Sequence, residues 1–436
     1  MTIDSMEMFE PVTSRWFKDT LGEPTIVQKE AWRSIADGFD TLVSAPTGTG
    51  KTLSAFLVYI DQLMRLAREE KLNEELYVIY VSPLKSLAGD IKENLKKPLH
   101  GILGEVIKQN REDNIITQDN EDEIIRQDKD GIIKEDNREE RGNKKEYQLL
   151  NESKKLSVNG TQPSNQNSKI PSISVAIRTG DTTPQERRQM IKHPPHILIT
   201  TPESLYLLLT SKSGQGIIKT AKVVIIDELH ALIDSKRGAH LMLSIARLDK
   251  LCGKPLQRIG LSATIEPLDL AANYLSPGPA KIVAPKMTKK VKFLITSPLS
   301  EEVGIRKTPV WEEIAAIIYD SCRKVRSVIA FVEGRRFAEK LAYYVNQLGG
   351  DGFARTHHGS LSREQRLEVE QSLRDGKLRL LCATSSMELG IDVGEIDEVF
   401  QIGCPMSISS TMQRLGRAGH NLSLIHISEP TRLALI

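Results

Sequence analysis

At 436 residues the chain is too long for one ordinary core and reads as two domains, and a hydrophobic content of 39% marks it as a folded protein. A net charge of +2 excludes a broadly cationic binding protein, so any nucleic-acid surface has to be local. Cys252, Cys322, Cys382 and Cys404 form no CxxC pair, which argues against a disulfide framework or an iron–sulfur site and for buried reduced thiols. The opening "MTIDSMEMFEPV" has no basic segment followed by an apolar one, and no run approaches a membrane span. A soluble, cytoplasmic protein is expected.

From residue 9 to 104, short apolar strands such as "TLVSA" and "LYVIYVSP" alternate with amphipathic helices. Residues 105–169 are polar and cannot bury enough apolar surface to offset ordering their backbone, so a mostly disordered surface insertion is expected. Within it "IITQD", "IIRQD" and "IIKED" recur at 115, 124 and 132, which reads as growth by short duplication rather than as a partner module. From Ile173 onward "SISVAIRTG", "HILITTP", "AKVVIID" and "QRIGLSA" are strands separated by helical stretches, an alternation that implies a parallel sheet between helices. After a connector rich in Pro, Lys and Thr the pattern restarts with "SVIAFVE", "ARTHHGS", "LRLLCAT" and "EVFQIG". Two α/β domains facing each other across a cleft are predicted.

Between the first strand and the first long helix lies "APTGTGKT": Ala45, Pro46, Thr47, Gly48, Thr49, Gly50, Lys51 and Thr52. A glycine-bearing loop in that context wraps backbone N–H groups around phosphates, and the helix N-terminus adds partial positive charge. Lys51 would neutralise the β- and γ-phosphates of ATP, and the Thr52 hydroxyl would ligate Mg²⁺. "VVIIDELH" places two acids at a strand end, Asp227 to hold the metal and Glu228 to polarise the attacking water. "QRLGRAGH" supplies Arg414 and Arg417, which share a face if helical, as candidate arginine fingers from the second domain.

Taken together, APTGTGKT, DELH, SAT and QRLGRAGH resemble a superfamily-two DExH-box helicase. "YVSPLKSLAGDIKENLKKPL", "RTGDT", "ILITTPESLYLLL", "HHGSLSREQR" and "CATSSMELGIDVGEID" resemble the Lhr (large helicase-related) family across residues 9–421. The resemblance implies two tandem RecA-like, P-loop NTPase domains with parallel sheets flanked by helices. They would span residues 1–285, with the insertion at about 105–170, and 308–421, joined by a linker at 286–307. It implies that Gln28 in "EPTIVQ" reads the adenine edge, with Phe17 a weaker candidate for packing on the base. Ser262, Ala263 and Thr264 would couple hydrolysis to domain movement, Gly390 and Asp392 would lie near the ribose, and Gln413 would help position the water. For nucleic acid it implies Pro83, Leu84, Lys85, Thr179, Gly180, Thr201, Pro202 and Glu203 in the first domain, and Arg335, His358, Gly359 and Thr384 in the second. Hydroxyl and backbone donors at loop ends suit phosphate contacts.

The implied function is an ATP-dependent, Mg²⁺-requiring helicase or translocase moving 3′ to 5′ on single-stranded DNA or RNA, or on duplexes and DNA–RNA hybrids, in a role such as DNA repair. Two alternatives stay open: a nucleic-acid-stimulated ATPase that does not separate strands, and a nucleotide-gated clamp without productive turnover. Glu333 and Gly334 stand where many relatives have an Asn-Ser/Thr pair. The family continues past its GRAGH motif into a winged-helix domain, whereas residues 422–436 read as non-family text akin to translated adapter sequence. That tail is expected to pack poorly.

Overall fold

The computed structural model describes residues 6–46, 48–127, 172–263, 265–285, 291–296, 310–388, 396–403 and 408–427. In the first domain the strands β1 (Thr41–Ser44), β2 (Val78–Val81), β3 (Val175–Arg178), β4 (Ile197–Thr200), β5 (Val223–Ile226), β6 (Gln257–Ser262) and β7 (Lys281–Val283) form a seven-stranded sheet in the order β3-β4-β2-β5-β6-β1-β7. Every pairing is parallel. The central strands are buried throughout, as expected where helices cover both faces of a parallel sheet.

One face carries α1 (Pro11–Leu21), α2 (Ile26–Ala36), α3 (Lys51–Arg68) and α4 (Lys85–Gln127), around a core that includes Phe17, Trp32, Phe56 and Tyr80. The other carries α5 (Pro184–Lys192), α6 (Pro202–Thr210), α7 (Lys212–Ile218), α8 (Lys236–Cys252) and α9 (Leu268–Leu275), around Leu205, Leu229, Leu241 and Ile245. Helix starts follow local chemistry: Thr25 with Gln28 and Thr183 with Glu186 form reciprocal capping boxes, and Pro202 follows the Thr201 cap.

The second domain repeats the plan. Strands β8 (Val291–Thr296), β9 (Val328–Phe331), β10 (Ala354–His357), β11 (Leu380–Ala383), β12 (Ile396–Ile402) and β13 (Ala418–Ile427) form a parallel sheet ordered β10-β11-β9-β12-β13-β8. Helices α10 (Val310–Cys322), α11 (Arg335–Gly349), α12 (Arg363–Arg374) and α13 (Ile408–Leu415) complete it. Because the strands of each sheet are parallel, their carboxyl ends share one edge, where the loops with chemical content gather. Among the described residues no helix is long and apolar enough to cross a membrane.

Three sequence expectations change. Residues 291–296, assigned to the linker, are the edge strand β8 of the second sheet. Residues 422–427, expected to pack poorly, lie inside β13, where Ile425 pairs with Phe400 of β12 on one side and Leu294 of β8 on the other. "LSLIHI" is β-branched and apolar enough to fill a slot between two strands. Residues 105–127, assigned to a disordered insertion, continue α4, and Val106 is buried against the first core. Residues 128–171, with the third repeat copy, and residues 428–436 of the tail lie outside the described residues, as does Cys404.

Candidate nucleotide site and nucleic-acid loops

The loop after β1 folds back on itself. Lys51 Nζ donates to the Ala45 and Pro46 carbonyls at 2.6 and 3.0 Å, and Thr49 Oγ1 donates to the Pro46 carbonyl at 2.8 Å. Gly50 caps α3 at φ 80°, a backbone conformation that favours glycine, and a Cβ there would lie 2.4 Å from Gln28 Nε2 and push that side chain aside. Gln28 Oε1 accepts the Thr25 N–H at 2.9 Å, while Thr25 Oγ1 donates to the Thr49 carbonyl at 3.1 Å. Thr25, held in place by the residue nominated for adenine recognition, thus ties the start of α2 to the phosphate loop. Phe17 is a correction: it is 1% exposed and packs edge-on against Trp32, so it cannot reach a base. Its neighbour Trp16 lines the cavity instead.

Asp227 follows β5 and continues the ladder, donating its N–H to the Val81 carbonyl at 2.9 Å. Its Oδ1 accepts the Glu228 N–H at 2.9 Å, and its Oδ2 accepts the Tyr80 hydroxyl. Glu228 sits in the left-handed region at φ 47°, a rare conformation for a non-glycine residue that sets the direction of its carboxylate. Burial, reinforced by the adjacent Glu228 charge, pushes Asp227 up to about 7. Burial likewise raises Glu228, against the pull of Lys51 and Arg417.

The DELH motif ends in His230, whose role its sequence alone does not specify. Burial lowers its imidazole to about 4, so the ring is neutral near pH 7. Nδ1 accepts the Ala263 N–H at 3.3 Å and lies 3.1 Å from Ser262 Oγ, which leaves the ring proton on Nε2. Nε2 faces the Gln413 amide of the second domain, and Glu228 Oε2 lies 3.6 Å away. A hydrogen bond there requires Gln413 to present its carbonyl oxygen. His230 therefore joins the Ser262–Ala263 segment, Glu228 and the second domain, and the signal that could have found it was the fourth letter of the motif.

A cavity of about 530 Å³ is lined by Gly48, Gly50, Lys51, Thr52, Asp227 and Glu228 from the first domain and by Gly416 and Arg417 from the second. Arg417 Nη2 also donates to the Glu388 carbonyl at 2.9 Å. Arg414 is a second correction. It is 7% exposed, its Nε donates to Glu388 Oε1 at 2.7 Å, its Nη1 donates to Gln401 Oε1 at 2.6 Å, and its guanidinium lies over the Phe331 ring. These contacts turn it into the second domain and away from the cavity. Thr52 and Asp227 offer hard oxygens in one cavity, and among the described residues no group of three or more His, Cys, Asp or Glu could hold a metal by itself. That donor set fits an Mg²⁺ ion completed by phosphate and water.

Lys85 Nζ pairs with Asp181 Oδ1 at 2.9 Å, and Leu84, Lys85 and Thr179 line a second cavity of about 670 Å³ together with Arg366, Leu367 and Glu370 of the second domain. Pro83 begins the turn into α4, and Gly180 lies beside Lys85. Glu203 is held by Arg237. Arg335 Nη1 donates to Ser360 Oγ at 3.0 Å, and Gly359 has open space where a side chain would be. Thr384 N donates to the His357 carbonyl at 3.2 Å. Thr179, Thr201, Pro202 and His358 are buried, with Thr201 spent on the α6 cap and His358 Nε2 3.3 Å from Glu339 Oε1. Burial limits what the Thr201 and Pro202 side chains can present to a strand, whereas Thr179 still lines the second cavity. Thr47, Thr264, Gly390 and Asp392 lie outside the described residues.

The raised Asp227 carboxyl makes a signed prediction. A group whose folded pKa lies above its unfolded value contributes stability that is full below the unfolded value and lost as pH rises through the folded one. The window therefore runs from the ordinary carboxylate range to about 7. Asp227→Asn is expected to raise the melting midpoint of the nucleotide-free protein more at pH 8 than at pH 5.5. Equal gains at both would count against the assignment.

A model for the DEAD/DEAH box helicase family matches residues 25–133 and 153–271, and one for the helicase conserved C-terminal domain matches residues 310–421. The chain is 36% identical over 95% of its length to the ATP-dependent helicase Lhr-Core of Methanocaldococcus jannaschii, covering 42% of that protein. It is 36% identical over 95% of its length to the Lhr helicase/uracil glycosylase of Escherichia coli, covering 26% of it. The structure of Mycobacterium smegmatis helicase Lhr bound to ssDNA and AMP-PNP superposes with a TM-score of 0.76 at 36% identity, over 98% of this chain and 48% of that one. The chain thus spans less than half the length of these relatives.

Proposed function

We propose, for a chain that belongs to the DEAD/DEAH box helicase family, an ATP-driven motor that moves along one strand of nucleic acid in the cytoplasm. The observation that carries it is the cavity shared by Lys51, Thr52, Asp227 and Glu228 of one domain and Arg417 of the other. ATP seated there would be gripped from both sides. Lys51, released from its carbonyl partners, would face the β- and γ-phosphates, and the N-terminus of α3 would add its dipole. Thr52 and Asp227 would hold Mg²⁺, which would neutralise charge on the phosphates. Glu228 would orient the attacking water with Gln413, and Arg417 would meet the charge that develops on the γ-phosphate.

Departure of the cleaved γ-phosphate would remove the anion that ties Lys51 to Arg417 across the cavity, so closure and reopening would follow the nucleotide state. His230 is placed to transmit it, touching Glu228, the Ser262–Ala263 segment and Gln413 at once. The M. smegmatis relative is bound to ssDNA, and we extend that ligand class to this chain, with RNA and DNA–RNA hybrids as further candidates. Phosphate contacts from loop backbones and from Lys85 and Arg335 would grip without reading sequence.

The test is ATP turnover with and without single-stranded DNA or RNA, in parallel with strand displacement. Turnover is expected to rise with nucleic acid, and Lys51→Ala is expected to lower it by about a hundredfold. Turnover at background in the unmutated chain would favour the clamp. Stimulated turnover without displacement would favour the translocase.

A further inference from the structure

We propose that Tyr80 is a positioning residue that holds the Asp227 carboxylate for Mg²⁺, an inference that rests on the ATP-motor reading. Tyr80 stands in "VIYV", a strand buried on both faces, where the surrounding pattern is purely apolar. A phenol in such a place needs a partner for its hydroxyl. The Tyr80 hydroxyl donates to Asp227 Oδ2.

The geometry is fixed by backbone rather than by side-chain choice. β2 and β5 pair in register, Tyr80 with Ile225 and Val81 with Ile226, so the residue that follows β5 always arrives beside the phenol. The ring is wedged against Phe56 of α3, with centroids 5.1 Å apart and planes 25° from parallel. Helix α3 begins at Lys51, so one stack links the strand that carries the phenol to the helix that carries Lys51 and Thr52.

Asp227 is gripped at both oxygens, by Tyr80 at Oδ2 and by the Glu228 N–H at Oδ1. Two donors on opposite oxygens fix the carboxylate plane, and each oxygen keeps a second lone pair for metal-bound water. Outer hydrogen bonds of this kind set the orientation of a metal-binding carboxylate, and their loss commonly weakens metal affinity. Phenylalanine at position 80 would keep the ring and its packing and remove one donor.

The experiment titrates Mg²⁺ against binding of a fluorescent ATP analogue to the full chain and to Tyr80→Phe, with melting midpoints recorded for both. The Mg²⁺ concentration for half of the binding enhancement is expected to rise about tenfold in Tyr80→Phe, with analogue affinity in EDTA unchanged. A folded variant with the Mg²⁺ requirement of the parent overturns the inference. Should Tyr80→Phe not fold, Phe56→Leu keeps the phenol but loosens its seat, and a smaller rise in the same direction is expected. No rise overturns the inference. The underlying motor reading fails separately, if the unmutated chain binds the analogue no better with Mg²⁺ or if Lys51→Ala binds it equally well.

Discussion

Arg417→Ala is expected to lower nucleic-acid-stimulated ATP turnover by about a thousandfold, the scale associated with removing a cation that meets the transferring phosphoryl group. Arg417 reaches the cavity from the second domain, opposite Lys51, Asp227 and Glu228. Its positive charge also acts on Glu228, opposing the effect of burial on that carboxyl. The loss should appear in turnover at saturating ATP more than in nucleotide affinity, because the charge it meets develops in the transition state. Far-ultraviolet circular dichroism and the melting midpoint should stay close to those of the parent. A variant with parental turnover would remove Arg417 from the mechanism and leave the inter-domain cavity without its cation.

Arg414→Ala is expected to destabilise the second domain by about 3–5 kcal/mol, the usual consequence of breaking one side of a buried ion pair. Its guanidinium serves Glu388 and Gln401 at once and lies over Phe331, so truncation strands a carboxylate and an amide in the interior. Glu388 belongs to the segment after β11 whose backbone carbonyl also receives Arg417, so unfolding here would loosen the finger as well. Arg414→Lys should recover little, since one ammonium cannot span two acceptors in the plane of a guanidinium. Urea denaturation followed by circular dichroism reads the effect. A midpoint equal to the parent would mean that the pair contributes nothing.

These two arginines mark where sequence periodicity stops working. Three positions apart, they share a face on a continuous helix, and both were natural candidates for the finger. Helix α13 ends at Leu415, so Arg417 has already left it and the two side chains diverge. The phosphate loop behaved differently. Lys51, Gly50 and Thr52 are adjacent in sequence, and the conformation they need is imposed by the strand before them and the helix after. Tyr80 lay at the opposite extreme, because in an apolar strand it reads as one more core aromatic. Its partner is 147 residues away.

Burial decided the rest. Thr201 and His358 occur in motifs that resemble strand-contacting loops, yet the threonine caps a helix of its own domain and the histidine ring is buried beside Glu339. Residues 291–296 read as linker because they lie in a stretch rich in Pro, Lys and Thr, and 422–427 as tail because they depart from the family pattern. Each becomes a strand through the neighbour that pairs with it. Local chemistry along the chain was therefore enough to determine the parallel α/β architecture, the phosphate loop and the acidic pair, since each depends on residues within a few positions of one another. Which arginine faces the cavity, what holds Asp227, how His230 bridges the domains and where the second sheet ends were decided by tertiary structure. Those are properties of pairs brought together across the fold, and the energy of a buried charge or hydrogen bond depends on what surrounds it in space rather than on what precedes it in the chain.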